Sequence, residues 1–204
     1  MDILQKLKNN QRRIGLTGGI ASGKSKITNY IRQNKNIPIL DADNLSRDLI
    51  KPKTYGYKKI LEYFGNQIIE RNNLEQEINR TLLRKIIFNN SDSKKWIEKL
   101  LHPLIKERLI EECSQYENNQ TILLVIPLLF EANFEDICTE IWLVKCPRKL
   151  QKKRHITRDK ISEKEADEII NFQLSFEEKR KISDFILDNS DDHNLWINTI
   201  EELL

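Results

Sequence analysis

Short apolar runs separated by long, charged segments set the pattern of the chain. Five runs have the length and the Ile, Leu and Val content of buried strands: Arg13–Leu16, Ile37–Leu40, Thr121–Ile126, Glu140–Lys145 and Phe185–Leu187. Each is bounded by polar or turn-forming residues. Between them, segments such as Ile78–Phe88 and Trp96–Ile110 repeat their apolar residues at helical spacing. Strands alternating with helices predict βαβ units and a mostly parallel sheet buried on both faces.

The spacing between the runs is uneven. About eighty residues, mostly of helical pattern, lie between the second and third runs, and about forty highly charged ones between the fourth and fifth, more than a compact crossover needs. The first excess predicts an inserted helical substrate domain. The second predicts a mobile helical lid.

Composition narrows the class. With 204 residues, 39% hydrophobic and 32% charged, the chain has the make-up of a globular protein with a sizeable core. Its longest apolar stretch, Ile122–Phe130, contains Pro127 and is too short to span a bilayer, so no membrane partner is expected. The start, MDILQKLKNNQRR, lacks the apolar segment of a secretory signal, and Ile3, Leu4 and Leu7 suit a short amphipathic extension packed on the core. Cys113, Cys138 and Cys146 form no C-x-x-C pair and suit a reducing cytoplasm. His102, His155 and His193 are too far apart for a local metal motif. Net charge is only +3, but from Lys145 to Lys160 eight Lys or Arg residues accompany one acid, Asp159. Such a run is either a solvated helix face or an arm that faces an anion.

Glycine changes the picture most. Of only six glycines, Gly15, Gly18, Gly19 and Gly23 cluster after the first apolar run, and Gly18-Gly19-Ile20-Ala21-Ser22-Gly23-Lys24-Ser25 fits G-x-x-x-x-G-K-[ST]. Backbone N–H groups can converge on phosphate oxygens only in a tight loop with little side-chain bulk. The following helix, from about Gly23, would add its positive dipole end. In this motif Lys24 reaches the β- and γ-phosphates and the Ser25 hydroxyl ligates Mg²⁺. The flanking IGL and KITNYI, with Ile27, Tyr30 and Ile31 at helical spacing, supply the strand and helix that the motif requires. A nucleoside-triphosphate site follows.

The acids then separate the classes of nucleotide enzyme. No glycine stands three residues after an Asp, so the D-x-x-G switch of a GTPase is absent, as is its N-K-x-D base reader. The one apolar run that ends in acid is Ile37-Pro38-Ile39-Leu40-Asp41-Ala42-Asp43. In extended chain Asp41 and Asp43 project to the same side. If this strand neighbours the phosphate-loop strand, one carboxylate can hold Mg²⁺ through water and the other can take a proton from an attacking hydroxyl. Capping of the helix that begins at this point is the alternative role.

The loop LTGGIASGKS, the segment DADNLSRDLI, LHPLI at Leu101–Ile105, IPLLFE at Ile126–Glu131 and the tail Phe172–Ser190 together resemble the dephospho-CoA kinase family, over Arg13–Ser190. The resemblance implies an α/β fold: a P-loop kinase core with a parallel sheet flanked by helices (about 12–45, 118–147 and 183–204), a helical CoA-binding insert (about 46–117) and a helical lid (about 148–182). It implies transfer of the γ-phosphoryl group of ATP, with Mg²⁺, to the ribose 3′-hydroxyl of dephospho-CoA. Gly18, Gly19 and Ala21–Lys26 (Ala21, Ser22, Gly23, Lys24, Ser25, Lys26) would hold the ATP phosphates, and Asn189 would touch the adenine. Asp43 becomes the base and Asp41 stands nearer Mg²⁺, although one strand end could present either acid. Arg158 matches the family's lid arginine. It can share a helix face with Arg154, whereas Lys152 and Lys153 read as solvated. His102 falls where the family shapes its acceptor pocket, or is a helix residue packed before Pro103. Glu131 is a pocket acid or a helix-terminal charge, and Leu128, Leu129 and Phe130 read as core. Gln173 and Arg180 match the family's tail and would bind the acceptor substrate.

Three positions depart from the family pattern: Ala21 where glycine is frequent, Lys26 where threonine is, and Asp191 where glycine is usual. Other acceptors, a nucleoside monophosphate or a sugar, fit a similar architecture. Nucleic acid does not suit the basic run, because no Phe, Tyr or Trp occurs between Trp142 and Phe172 to stack on bases.

Overall fold

The first apolar run becomes the middle of the sheet. In a computed structural model, which describes residues 3–70, 76–191 and 193–204, strand β1 is Arg12–Gly18 and buries Ile14 and Leu16 completely. It is flanked by β3 (Thr121–Val125) and β4 (Glu140–Lys145), with β2 (Ile39–Asp41) outside β3 and β5 (Phe185–Asp188) outside β4. All four pairings are parallel, with Leu16 opposite Val125 on one side and Trp142 on the other. This is the α/β sheet that the spacing predicts.

One expectation changes. β2 does not neighbour the phosphate-loop strand, because β3 lies between them. The burial of the strands explains the order: β3 buries four consecutive apolar residues, whereas β2 has three residues, half-buried at each end, and suits an edge.

Helices α1 (Lys24–Asn34) and α9 (Trp196–Leu203) direct Ile27, Ile31, Trp196 and Ile200 into the core formed by Ile14, Leu16, Leu123, Trp142 and Leu187. Packing is tight at Gly15, where a Cβ would stand 2.6 Å from Cys138 Sγ and 2.7 Å from Leu129 Cδ1. The N-terminal segment is a 3₁₀ turn over Ile3–Lys6, with Ile3, Leu4 and Leu7 half-buried. After β4 come α6 (Arg148–Asp159), α7 (Glu163–Asn171) and the short α8 (Phe176–Arg180). Ion pairs hold α6 to α7: Lys152 reaches Glu163 at 3.0 Å and Asp167 at 2.8 Å, and Arg148 reaches Asp167 at 3.5 Å. Lys152, expected in solvent, is therefore a bridging residue between these helices.

The chain divides into two compact units, one formed by the chain through Asp41 together with Glu112–Leu204, the other by Ala42–Glu111. The second holds α2 (Ala42–Asp48), α3 (Tyr55–Phe64), α4 (Arg80–Asn89) and most of α5 (Ser91–Ser114). Its own core gathers Tyr57, Ile60, Phe64, Ile68, Leu83 and Ile97, and Trp96 stacks on Tyr63 at 4.0 Å between ring centroids. Thr54 and Asn79 cap α3 and α4 by accepting from Tyr57 N–H and Leu82 N–H, which satisfies first-turn donors. Helix α5 runs through Pro103, which has no N–H to donate to the preceding turn. Among the described residues no helix is long and apolar enough to cross a membrane.

Candidate active site

β1 ends at Gly18 and α1 begins at Lys24, so the glycine-rich motif is the turn from the central strand into its helix. Gly23 is the N-cap of α1 at φ 101°, and its side-chain-free position is enforced twice. The left-handed conformation disfavours a Cβ, and a Cβ there would stand 2.0 Å from Asn189 Nδ2. Ala21 occupies the left-handed region too, at φ 54°. That explains why glycine suits this position. Inside the loop Ser22 N–H donates to Gly19 O at 3.2 Å and Lys26 N–H to Gly23 O at 2.9 Å. Ser25 and Lys26 are exposed, and the Lys24 ammonium donates to Gly18 O at 2.8 Å and Gly19 O at 3.0 Å.

Three carboxamides surround this loop. Asn189, following β5, is buried and donates from Nδ2 to Ser22 O at 2.8 Å. Its side chain braces the loop. Gln173 accepts from Ile20 N–H at 2.7 Å. Gln151 flanks Gly19 so closely that a Cβ there would lie 2.5 Å from Gln151 Oε1, while its Nε2 donates to Cys146 O at 2.7 Å.

Of the two arginines four apart on α6, Arg154 is the one beside the loop. Its Nη1 lies 3.8 Å from the position of a Cβ on Gly23 and 3.5 Å from Cys146 Sγ. Arg158 is exposed and forks onto its neighbour Asp159 at 2.7 and 2.9 Å. Arg180 is exposed and lies 3.9 Å from Glu177.

The acids occupy two different elements. Asp41 is the half-buried last residue of β2, paired in register with Val125. Ala42 already begins α2, so Asp43 stands exposed in the first turn of a helix. The same-side projection expected of an extended Asp41-Ala42-Asp43 does not apply. Asp43 instead has the position in which a carboxylate favours a helix dipole.

Glu131, beyond β3, is half-buried and ion-paired. Its Oε1 pairs with the Lys179 ammonium at 2.9 Å and accepts from Leu174 N–H at 3.0 Å, and Lys179 is only 1% exposed. Of its neighbours, Leu129 and Phe130 are core as expected, but Leu128 is exposed. In the helical unit, half-buried His102 lies on α5, where burial lowers its pKa against the opposing pull of Glu98. All three cysteines are free thiols. Burial pushes Cys113 up to about 11 and Cys138 up to about 12, with Arg13 pulling weakly the other way, and burial also raises Cys146.

Thus the phosphate loop, Gln173, Asn189, Gln151 and Arg154 come together at one strand end, with Glu131 and Lys179 behind Gln173. Two of these, Gln151 and Lys179, are not among the residues expected of the site, and Arg154 is expected only as the helix-face companion of Arg158. For Arg154 the signal is its place one helical turn before Arg158 in the basic run. For Gln151 and Lys179 no local signal exists.

The sequence model of the dephospho-CoA kinase family matches residues 12–194. A protein of Prochlorococcus marinus (strain MIT 9312) named dephospho-CoA kinase is 80% identical over 205 residues, covering 100% of both chains. The crystal structure of TT1252 from Thermus thermophilus matches with a TM-score of 0.79 at 27% identity, covering 96% of this chain and 97% of that one. The dephospho-CoA kinase of Campylobacter jejuni matches with a TM-score of 0.69 at 26% identity, over 95% and 97%. A nucleotide-binding motif seated on the central strand of a parallel sheet, and a sequence match that runs from that strand to beyond the last one, lead to one assignment: this chain belongs to the dephospho-CoA kinase family.

Proposed function

We propose that the chain transfers the γ-phosphoryl group of ATP to the ribose 3′-hydroxyl of dephospho-CoA, releasing ADP and coenzyme A. The observation that carries this reading is the turn from β1 into α1, where a left-handed Gly23 opens an 11-residue helix directly after a GK[ST]-type loop on the central strand. Such a helix start offers backbone N–H groups and a partial positive charge to a phosphate. Gly18, Gly19 and residues 21–26 hold the ATP phosphates, and Lys24 exchanges its loop carbonyls for β- and γ-phosphate oxygens.

Mg²⁺ suits the donors on offer. The Ser25 hydroxyl and the Asp41 carboxylate are hard oxygen ligands, Ser25 in the helix after β1 and Asp41 at the end of β2, at the carboxyl edge of the sheet. Among the described residues no group of three His, Cys, Asp or Glu gathers as a metal site, which leaves the larger part of the coordination to phosphate and water. Bound there, the ion would neutralise charge on the β- and γ-phosphates.

Asp43 takes the proton of the attacking 3′-hydroxyl. That oxygen forms the new bond to the γ-phosphorus as the bond to the β–γ bridging oxygen breaks, and the freed electron pair leaves on ADP. Exposure of Asp43 in the first turn of α2 supports this role, because a base must be reached by the substrate. Arg158, from a lid of about 148–182, covers the transferring charge, with Arg154 as a second cation on the same helix. His102 and Arg180 serve the acceptor.

A coupled ADP-release assay across dephospho-CoA, AMP, CMP and adenosine tests the reading. Turnover is expected with dephospho-CoA in the presence of Mg²⁺ and ATP. Turnover with a nucleoside monophosphate and none with dephospho-CoA would overturn it.

A further inference from the structure

We propose that Gln173 is a positioning residue for the phosphate loop, and that the buried Glu131–Lys179 ion pair holds Gln173 in place. The inference rests on the reading of Gly18–Ser25 as the ATP site.

The geometry is a closed chain of contacts. The Gln173 Oε1 accepts from Ile20 N–H at 2.7 Å, and Ile20 immediately precedes the left-handed Ala21. That N–H lies in the first half of the loop, whose own internal bonds begin at Ser22 and Lys26. Gln173 therefore holds the N–H of a peptide whose carbonyl, Gly19 O, the loop already holds through Ser22 N–H and the Lys24 ammonium. Gln173 follows the end of α7, where its N–H donates to Ile170 O at 3.2 Å. The next peptide, Leu174 N–H, donates to Glu131 Oε1, and the same oxygen lies 2.9 Å from Lys179 Nζ. Ser175 and Glu178 form a reciprocal capping box that starts α8 and carries Lys179 inward. On the other side, Thr17 Oγ1 donates to Pro127 O at 3.3 Å, which ties the segment bearing Glu131 to the end of β1.

The electrostatics make this assembly obligatory once built. An ammonium that is 1% exposed must keep its counter-charge, since a buried charge without a partner is strongly unfavourable. Glu131 supplies that charge and an acceptor for the Leu174 peptide with one oxygen. The segment from Gln173 to Lys179 thus has both ends defined, and the carboxamide at its start is delivered to the loop without freedom to swing away. A loop held in this way meets the nucleotide already shaped, so less binding energy is lost in ordering it.

The test is calorimetric titration of Mg·ADP, with thermal melts and steady-state kinetics, on the intact enzyme. Gln173→Met keeps the length and removes the acceptor; it is expected to weaken Mg·ADP binding by about tenfold and to raise KM for ATP in step, with KM for dephospho-CoA unchanged. Glu131→Gln keeps an acceptor for Leu174 N–H but leaves the Lys179 ammonium unpaired; it should lower both the melting temperature and the Mg·ADP affinity. Adding Lys179→Met to Glu131→Gln should restore most of that affinity, because the charge imbalance is gone and the acceptor remains. The proposal is overturned if Gln173→Met binds Mg·ADP as the wild type does, whatever its melting temperature. It is equally overturned if the variant raises KM for dephospho-CoA instead, which would place Gln173 in the acceptor site. Wild-type enzyme that fails to bind Mg·ADP would defeat the ATP-site reading itself. Wild type that binds, beside an unaffected Gln173→Met, defeats only the positioning role.

Discussion

Two strand-to-helix turns at the carboxyl edge of the sheet are built in opposite ways. Between β1 and α1 the chain spends residues 19–23 on a glycine-rich loop with left-handed residues at Ala21 and Gly23. Between β2 and α2 it spends none: Asp41 is the last strand residue and Ala42 the first helical one. The first turn exposes backbone, and what it offers an anion is N–H groups and a helix dipole. The second exposes side chains, with a carboxylate on the strand end and another on the first helical turn. A phosphoryl-transfer enzyme needs both, since the donor arrives as a polyanion and the acceptor as a hydroxyl that must lose a proton.

Changes that touch only side-chain atoms should therefore dominate at the second turn and changes to backbone freedom at the first. The largest expected effect is Asp43→Asn, which keeps shape and removes the proposed base. Its kcat should fall by about 10²- to 10⁴-fold with Mg·ADP affinity retained, measured by turnover and calorimetry side by side. A near-wild-type kcat would mean that the second turn contributes no base.

Gly23→Ala comes next. The added methyl meets Asn189 and a left-handed φ, so a loss of about 2–3 kcal/mol in stability and a comparable loss of Mg·ADP binding are expected from chemical denaturation and titration. The opposite change in the same loop, Ala21→Gly, relieves left-handed strain. It should stabilise by up to about 1 kcal/mol, read as a rise of roughly 2–4 °C in melting temperature. A drop in melting temperature would show that Ala21 is better accommodated than its φ implies.

The smallest effect is a slope rather than a step. His102 has a pKa lowered by burial, so the folded protein keeps it neutral while the unfolded chain takes up a proton near its ordinary value of about 6.5. Its contribution to stability is present above that pH and is lost as pH falls toward the lowered folded value. Melting curves between about pH 7.5 and 5 should fall less steeply for His102→Gln than for wild type. Identical slopes would place the acid sensitivity elsewhere.

What the sequence made legible follows the same division. The first turn is encoded in eight consecutive residues, and the strands before and around it are short apolar runs that can be little else. The five strands appear within a residue or two of their expected limits, as does α4, whereas α5 extends five residues before and four beyond the expected Trp96–Ile110. Asp41 and Asp43 were harder. Their spacing fits a strand end with a helix start as the alternative, and the start of α2 at Ala42 places Asp43 in the helix. Strand order was also out of reach, because parallel neighbours need no local pattern to select one another. Residues that act by long-range pairing were least visible. Lys179 is one of many lysines in a charged tail, and nothing near it announces a buried partner 48 positions away at Glu131. Leu128 looked like core because it sits between apolar residues, yet Leu129 and Phe130 fill that core and turn it outward.

The three thiols have a practical consequence. Cys113 and Cys138 titrate near 11 and 12, and Cys146 is buried beside Arg154. Burial holds all three as thiols rather than thiolates at neutral pH, so a maleimide should react slowly with the native enzyme. The wild-type chain is thus a ready-made silent background for a single introduced cysteine. A fluorophore at an exposed helix position such as Lys153 would test whether α6 and α7 move when nucleotide binds.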